Sequence, residues 1–434
     1  MIPQELLKDI EIKKLLEDER TARLENEFSK SNVLCTQLCK TLYDRGDFPN
    51  FLIIIEYLNQ RNNQSREAIC SMIKYCLNEV LPALPEDKQT ALLTVVIKVT
   101  EGKIFVEREY SIAIRKMTDI HIKNGNTAEA AKLIQDVQIE AFGSLERSYK
   151  VDYILFQMKV LLDKGDYIRN LIVSNKINRQ HLNDAGFEKL KIRFYELMII
   201  YYLHEEKYIE VSKCYKEMYD FVKMIRTKLE HPDEVKSECL ENYIEVSAKN
   251  NPDVLFENYV MYLAVCPPEL ETKNMFHELQ LKYKPDLDAN VNTRFIVDKR
   301  LSDDIIVIDN TLFKQFDNVE LFKCNSKIYA LFRKFWIQHD LLVFEKFFSK
   351  VHLGRIAEMT NVNVDEVEKE IADMVVCGHI YAKINRIESI CVFKKKSDHR
   401  DILNELNYDL NKMLKGIENT CHLINKEYLK YGIK

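Results

Sequence analysis

The chain has 434 residues and a net charge of −5 at neutral pH, with 46% hydrophobic and 30% charged residues but only 10 Gly and 9 Pro. So few glycines and prolines over this length are typical of long helices, which favours an all-α protein divided into more than one unit. The negative net charge argues against a general binder of nucleic acid or of anionic membranes.

The 11 cysteines are scattered along the chain, with no CxxC pair and no histidines at zinc spacing, which indicates buried thiols in a reducing compartment. The N-terminus is charged from its fifth residue onward and lacks the apolar core of a signal peptide. No apolar run approaches the ~20 residues that a membrane span needs. We therefore expect a protein of the cytoplasm and nucleus, without a membrane partner.

Short polar turns recur along the first half of the chain, at Asp44–Asp47, Lys123–Asn126, Lys164–Asp166 and His204–Lys207. The last three are spaced by 40 and 41 residues, and the first precedes the second by 79, or two such periods. The missing turn falls at the proline-containing stretch Leu84–Lys88. A period of this length predicts stacked helical hairpins.

Apolar residues at helical spacing flank these turns. Around Gly165 they are Ile154, Leu155, Met158, Leu161 and Leu162 before the turn, and Ile168, Leu171 and Ile172 after it. One hairpin cannot bury such faces, whereas a stack of hairpins shares a continuous core. We therefore predict a right-handed TPR-like α-solenoid over residues 1–283. The first aromatic residue of each second helix, Phe48, Tyr167 or Tyr208, is expected to pack against the neighbouring repeat.

The repeat pattern stops over residues 284–327. Pro285, the pair Asp303 and Asp304, and the β-prone run Ile305–Ile308 do not suit a helical hairpin, so we expect an irregular connection. Apolar helical spacing returns at Ile328 and leads into a module that extends to residue 397.

Within this module, the pattern after residue 352 predicts a winged helix. A short helix over Arg355–Met359 precedes a second helix, which starts at Asn363 with the capping-box partner Glu366 and stops at Gly378. Its apolar stripe consists of Val364, Val367, Ile371, Met374 and Val375. Two β-prone runs follow, Tyr381–Ile384 and Ile390–Phe393, and predict a hairpin that forms the wing.

Many winged helices bind DNA, but the second helix here is acidic. Its charged residues are Asp365, Glu366, Glu368, Lys369, Glu370 and Asp373. Because a helix that enters a DNA groove needs cations to neutralise phosphates, a nucleic-acid function is the less favoured alternative. We expect a protein-docking module instead, with Tyr381, Lys383 and Ile384 of the wing at the interface.

The last segment, residues 398–434, predicts a single helix with an apolar seam. The seam residues are Leu403, Leu406, Leu410, Met413, Ile417 and Ile424. Steps of three and four residues are typical of a helix that packs against partner helices. A helix folded back on its own domain is the alternative, and its position after a module that looks closed favours bundling with other chains.

The sequence contains no motif that would indicate an enzyme. It has no phosphate-binding GxxxxGK[ST] loop, no GxSxG elbow and no HExxH pair, and its histidines are dispersed. Isolated histidines near apolar residues, such as His352 and His422, are more typical of structure than of metal binding. We therefore predict no catalytic residue, no metal and no cofactor.

A helical-repeat array that ends in a winged helix resembles the PCI family, the scaffold subunits shared by the proteasome lid, the COP9 signalosome and translation initiation factor three. The stretch Val99–Tyr219, which includes HIKNGNTAEAAKLIQDVQIEAFG, is similar to the proteasome-lid branch of this family. RIAEMTNVNVDEVEKEIADMVVCGHIYAKINRIESI and NTCHLINKE resemble the winged helix and terminal helix of the same branch.

The resemblance implies a non-catalytic scaffold of the 26S proteasome regulatory particle that supports ubiquitin-dependent degradation. It also implies partners: other PCI subunits of the lid, the lid's metal-dependent deubiquitinase, the ATPase ring and the core particle. A fourth-subunit role in the COP9 signalosome, or a role in translation initiation factor three, is the alternative within the family. Little of the family's usual sequence is found between Lys284 and Lys350.

Overall fold

The computed structural model describes residues 10–25, 27–61, 64–135, 137–139, 143, 145–184, 186–230, 237–305, 326–393 and 399–432. The chain forms two compact units, Met1–Leu255 and Phe256–Lys434. The predicted domain boundary after residue 283 falls inside the second unit, and the division into domains stays a prediction.

The first unit consists of helices that pack on their neighbours along the chain. They are α1 Ile10–Leu24, α2 Phe28–Asp44, α3 Phe48–Asn59, α4 Arg66–Tyr75, α5 Leu81–Ala83, α6 Glu86–Thr100, α7 Glu107–Lys123, α8 Thr127–Gln135, α9 Arg147–Lys164, α10 Tyr167–Ser174, α11 Glu188–His204, α12 Tyr208–Glu230, α13 Ser237–Lys249 and the start of α14 Pro252–Ala264. Helix α9 contacts α8, α10 and α11, and α11 contacts α12. Contacts between near neighbours in sequence are the pattern expected of stacked hairpins.

All four predicted turns lie between two helices, separating α2 from α3, α7 from α8, α9 from α10 and α11 from α12. Gly46, Gly125 and Gly165 adopt left-handed backbone there, with φ of +75°, +78° and +84°. In the fourth turn Glu206 occupies the same position with φ of 57°. In the last three turns, the following N–H donates to the carbonyl five residues back, at 2.9–3.0 Å. This is the Schellman arrangement, which favours glycine because left-handed backbone strains other residues.

The aromatic residues at the start of the second helices, Phe48, Tyr167 and Tyr208, are half-buried. The ring of Tyr167 stacks on the ring of His204, the last residue of α11, with centroids 3.5 Å apart and planes at 13°. Phe48 stacks within its own helix on Phe51 at 6.3 Å, and the ammonium of Lys88 on α6 lies 5.6 Å from the centroid of the Phe48 ring. The predicted contact with the neighbouring repeat is therefore present at Tyr167.

The second unit combines helices with a small sheet. Its further elements are α15 Leu270–Lys282, α16 Lys284–Ala289, α17 Val291–Leu301, α18 Ser326–Phe347, β1 Lys350–His352, α19 Leu353–Thr360, α20 Val364–Val376, β2 Lys383–Asn385, β3 Ile390–Val392 and α21 His399–Tyr431. Since the strands in the described ranges are only three residues long, the predicted all-α class is confirmed.

Residues 284–289 and 291–301 are helical, so the irregular connection predicted there is wrong for this part. Pro285 lies in the first turn of α16, where its missing N–H leaves no helical hydrogen bond unmade. The buried side chains of α17 are Thr293, Ile296, Val297 and Arg300. An inward face that is half polar produces no clear apolar period, which explains why the sequence pattern missed this helix. Most of the predicted connection, residues 306–325, lies outside the described residues.

Arg300 ties α17 to two other helices. It is only 5% exposed, and its guanidinium donates to the carbonyls of Ala264 on α14 at 2.6 Å and Phe335 on α18 at 3.2 Å. It also lies over the ring of Trp336, 5.4 Å from the centroid. Burial lowers the pKa of Arg300 to about 10, while the nearby Asp340 carboxylate opposes this shift.

The last part of the unit has the element order of a winged helix. Strands β1 and β2 both pair antiparallel with β3, which lies in the middle of the sheet. Strand β1 was not predicted, because only five residues separate α18 from α19. The predicted capping box does not form. The Asn363 side chain makes no capping bond, and Glu366 contacts Arg333 at 3.3 Å instead.

Candidate interaction surfaces

Of the three residues predicted at the wing, Lys383 and Ile384 lie in β2, and Tyr381 lies two residues before it. The backbone N–H of Tyr381 donates to Glu345 Oε1 at 3.3 Å, and the Lys383 ammonium lies 5.8 Å from the Tyr381 ring centroid. Ile384 is half-buried and pairs across the sheet with Cys391. Because β2 is an edge strand of the described sheet, one of its sides can accept a strand from another chain. The role of Tyr381, Lys383 and Ile384 at an interface stays a prediction.

The tip of the wing presents an isoleucine that sequence reasoning missed. Ile387 is 97% exposed. The turn around it is held by Asn385, which donates to Glu388 at 3.1 Å, and by Arg386, which donates to Glu368 of α20 at 2.6 Å. A large aliphatic side chain inside the polar run that joins two strands was the signal that could have revealed it.

The acidic helix α20 turns part of its charge toward α18 of the same unit. The contacts are Arg333 with Glu366 at 3.3 Å, Lys334 with Asp373 at 2.9 Å, and Gln338 with Glu370 at 3.0 Å. The hydrogen bond from Lys334 lowers the pKa of Asp373, and the same bond raises the pKa of Lys334. The carboxylates of this helix thus serve to hold α20 on α18.

The terminal helix α21 is 33 residues long, and its described side chains are exposed throughout. The predicted seam residues are between 46% and 66% exposed; they are Leu403, Leu406, Leu410, Met413, Ile417 and Ile424. Their apolar surface is therefore not covered within the described part of the chain. This arrangement favours the prediction of partner helices over that of a helix folded back on its own domain.

The apolar stripe of α21 is wider than the predicted seam. At about 100° per residue, Ile402, Leu414, Cys421 and Tyr428 fall in the same sector as the seam residues, and together they span about 120°. A stripe of this width exceeds the seam of a two-stranded coiled coil and suits a helix that contacts more than one neighbour. The exposed Leu423 and Leu429 fall outside this sector.

No group of three or more His, Cys, Asp or Glu side chains among the described residues could hold a metal ion. Over the same residues, no helix is both long enough and apolar enough to cross a membrane. His352 has a structural role, since its Nδ1 accepts a hydrogen bond from the Gly354 N–H at 3.2 Å and caps α19.

Family profiles match three parts of the chain. The profile described as PSMD12/CSN4, N-terminal, matches residues 11–227, and the PCI domain profile matches residues 315–395. The profile of the 26S proteasome regulatory subunit RPN5 C-terminal domain matches residues 401–429, which lie inside α21.

Curated relatives are similar along nearly the whole chain. The 26S proteasome non-ATPase regulatory subunit 12 of Dictyostelium discoideum is 26% identical over 424 residues, which cover 97% of this chain and 90% of the relative. Homolog A of subunit 12 from Arabidopsis thaliana is 27% identical over 446 residues, covering 96% of each chain. The 26S proteasome regulatory subunit RPN5 of Saccharomyces cerevisiae is 26% identical over 434 residues, which cover 97% of this chain and 91% of the relative.

The helical first unit, the winged-helix element order and the exposed terminal helix define a scaffold-type protein, one that offers surfaces to other proteins. The chain belongs to the PSMD12/CSN4 family, whose N-terminal profile matches half of its length. The resemblance to the proteasome-lid branch of the PCI proteins is thereby confirmed.

Proposed function

We propose that this chain is a non-catalytic scaffold subunit of the 26S proteasome lid, which it joins through its terminal helix and its wing. The observation that carries the proposal is that the exposed helix α21 coincides with the match to the RPN5 C-terminal domain. The names of the relatives, which match end to end, support the choice of complex.

The physical argument rests on the surface that α21 leaves uncovered. Its 33 residues extend about 50 Å at 1.5 Å per residue. Burying the exposed half of each seam side chain contributes about 1 kcal/mol apiece. A helix without tertiary contacts is marginally stable in water, so partner helices would stabilise both its fold and its position.

A matched pair of double variants tests this function. Leu410→Asp with Ile417→Asp places two charges in the apolar stripe, whereas Leu423→Asp with Leu429→Asp places the same charges on the same helix outside it. We expect the first variant to lose co-purification with lid subunits and the second to retain it. Because all four side chains are exposed, circular dichroism and thermal unfolding of the two proteins should match the wild type. Equal incorporation of the two variants would refute the proposed role of the stripe.

We further propose that Tyr381, Lys383 and Ile384 contact a neighbouring PCI subunit along the open edge of β2. The edge position of β2 in the described sheet supports this. Replacing Lys383 by Glu should reduce incorporation into the lid, while Lys350→Glu, on the opposite edge strand β1, serves as the control. A stronger effect at Lys350 would assign the contact to the other edge.

The resemblance extends the proposal to particular neighbours: other PCI subunits of the lid, its metal-dependent deubiquitinase, the ATPase ring and the core particle, in the cytoplasm and nucleus. Cross-linking mass spectrometry of the native complex tests each contact. The same experiment separates the lid from the COP9 signalosome, since signalosome subunits in place of ATPases and core subunits would overturn the choice of complex.

A further inference from the structure

Helix α10 turns its aliphatic residues outward and its polar residues inward. Ile168, Leu171 and Ile172 are 79%, 36% and 58% exposed, whereas Asn170 and Ser174 are 0% and 4% exposed. The sequence pattern had placed the three aliphatic residues in the core of the repeat stack. Because the three side chains are exposed, the prediction that they are buried is wrong. Ile168, Leu171 and Ile172, at spacing i, i+3 and i+4, form an uncovered surface that we name the α10 aliphatic face.

The inward side of α10 makes this orientation unusual. Neither amide atom of the Asn170 side chain has a hydrogen-bond partner among the described residues, although the residue is fully buried. An unpaired buried amide costs about 1–3 kcal/mol. A helix whose only task was to pack on α9 would place leucine or isoleucine inward, so the outward aliphatic residues need a separate explanation.

The surface continues onto the next helix. The stack of Tyr167 on His204 joins the start of α10 to the end of α11. Ile200 lies one turn before His204 on α11, projects from the same side of that helix and is 53% exposed. Aliphatic side chains from two helices therefore border the aromatic stack.

The segment that contains α10 carries more cations than carboxylates in a chain that is acidic overall. Residues 164–183 include Lys164, Arg169, Lys176 and Arg179, against a net charge of −5 for the whole protein. The carboxylate within this stretch, Asp166, contacts Lys164 at 3.9 Å and Arg169 at 3.6 Å, and Asp163 and Asp184 flank the stretch. Arg169, Lys176 and Arg179 are exposed. Apolar surface with a cationic border complements a partner that combines apolar side chains with carboxylates.

We propose that the α10 aliphatic face, together with Ile200, is a docking surface for an acidic amphipathic helix of another protein. Such a helix would lay side chains at i, i+3 and i+4 against Ile168, Leu171 and Ile172 and direct its carboxylates to the surrounding cations. This surface is remote in sequence from the wing and from α21, and the proposal does not depend on membership of the lid.

Site-specific photocross-linking of the full-length protein in its own cells tests the proposal. A photoreactive residue replaces Ile172, and in the control it replaces Ile104, which is 76% exposed and lies outside the surface. Mass spectrometry then identifies the captured peptide. We expect capture at position 172 of a segment with helical apolar spacing and net negative charge, and no such capture at position 104.

Two further variants separate apolar from electrostatic contributions. With the photoreactive residue at 172, Ile168→Glu should lower the cross-linking yield about tenfold, because it places a charge against the apolar face of the partner. Arg169→Glu with Lys176→Glu should lower the yield and abolish its dependence on salt. Ile168→Glu should keep the wild-type thermal unfolding midpoint because Ile168 is exposed. The double variant should lower the midpoint only slightly, through loss of the surface contact between Arg169 and Asp166.

Several outcomes would overturn the proposal. They are cross-links only to a second copy of this chain, only to lipid or only to a basic segment, and a yield at position 172 no higher than at position 104. An intact lid assembled around a chain whose α10 captures nothing would contradict this proposal alone and leave the proposed function standing.

Discussion

Replacing Arg300 by Met should destabilise the second unit by about 3 kcal/mol. Met keeps most of the side-chain volume but removes the donors to the carbonyls of Ala264 and Phe335, which lie 2.6 and 3.2 Å from the guanidinium. Each buried carbonyl left without its donor costs about 1–3 kcal/mol. Asp340, which is fully buried, also loses a nearby positive charge. Because Met has no charge to bury, the variant avoids the cost of desolvating a guanidinium, which offsets part of the lost stability.

The assay is urea denaturation of the full chain, followed by the fluorescence of Trp336, the single tryptophan. The matched control is Arg294→Met on the same helix, since Arg294 is exposed and pairs with Asp288 and Asp298 on the surface. We expect the control to change the free energy of unfolding by less than about 0.5 kcal/mol. Equal effects of the two substitutions would refute the assigned role of Arg300 in joining α14, α17 and α18.

Two further predictions concern the first unit and the thiols. Glu206→Gly should stabilise the chain by about 1 kcal/mol because it relieves left-handed strain, and Gly165→Ala should destabilise it by a similar amount. Since a Cβ at Gly165 meets nothing nearer than the Tyr167 ring at 4.0 Å, the cost would come from the backbone, and thermal unfolding that moves the other way would contradict it. Burial raises the pKa of Cys76 to about 12, so native alkylation at pH 8 should label the exposed Cys377 and Cys421 and spare Cys76. Mass spectrometry of the labelled peptides checks this, and rapid labelling of Cys76 would contradict its burial in the native protein.

The repeat architecture of the first unit could be predicted because its signals are local. A glycine that ends a helix with left-handed backbone acts within five residues, so Gly46, Gly125 and Gly165 identify their turns without any tertiary contact. The fourth turn was found by its spacing and polarity although Glu206 stands in place of glycine. The two helices and the hairpin of the winged helix could be predicted for the same reason, through the stop at Gly378 and the β-prone runs.

Which face of each helix is buried could not be decided in the same way. The apolar period of α10 predicted that Ile168, Leu171 and Ile172 are buried, yet these residues are exposed. Apolar spacing shows that a helix has an apolar face, but it does not show whether another segment covers that face. The opposite error occurred at α17, where an arginine and a threonine face the core. Long-range hydrogen bonds to carbonyls more than thirty residues away in sequence make that burial favourable.

The amino-acid sequence by itself determined the class of the protein, the positions of its turns and the seam of its terminal helix, since these follow from short-range propensity, capping and period. Only the tertiary structure decided that residues 284–301 belong to a core, that β1 completes the sheet of the wing, and that α10 and α21 carry apolar surface with nothing over it in the described chain. The physical reason is that burial depends on which segments pack together in space, and the residue pattern of one helix does not specify which segments pack against it.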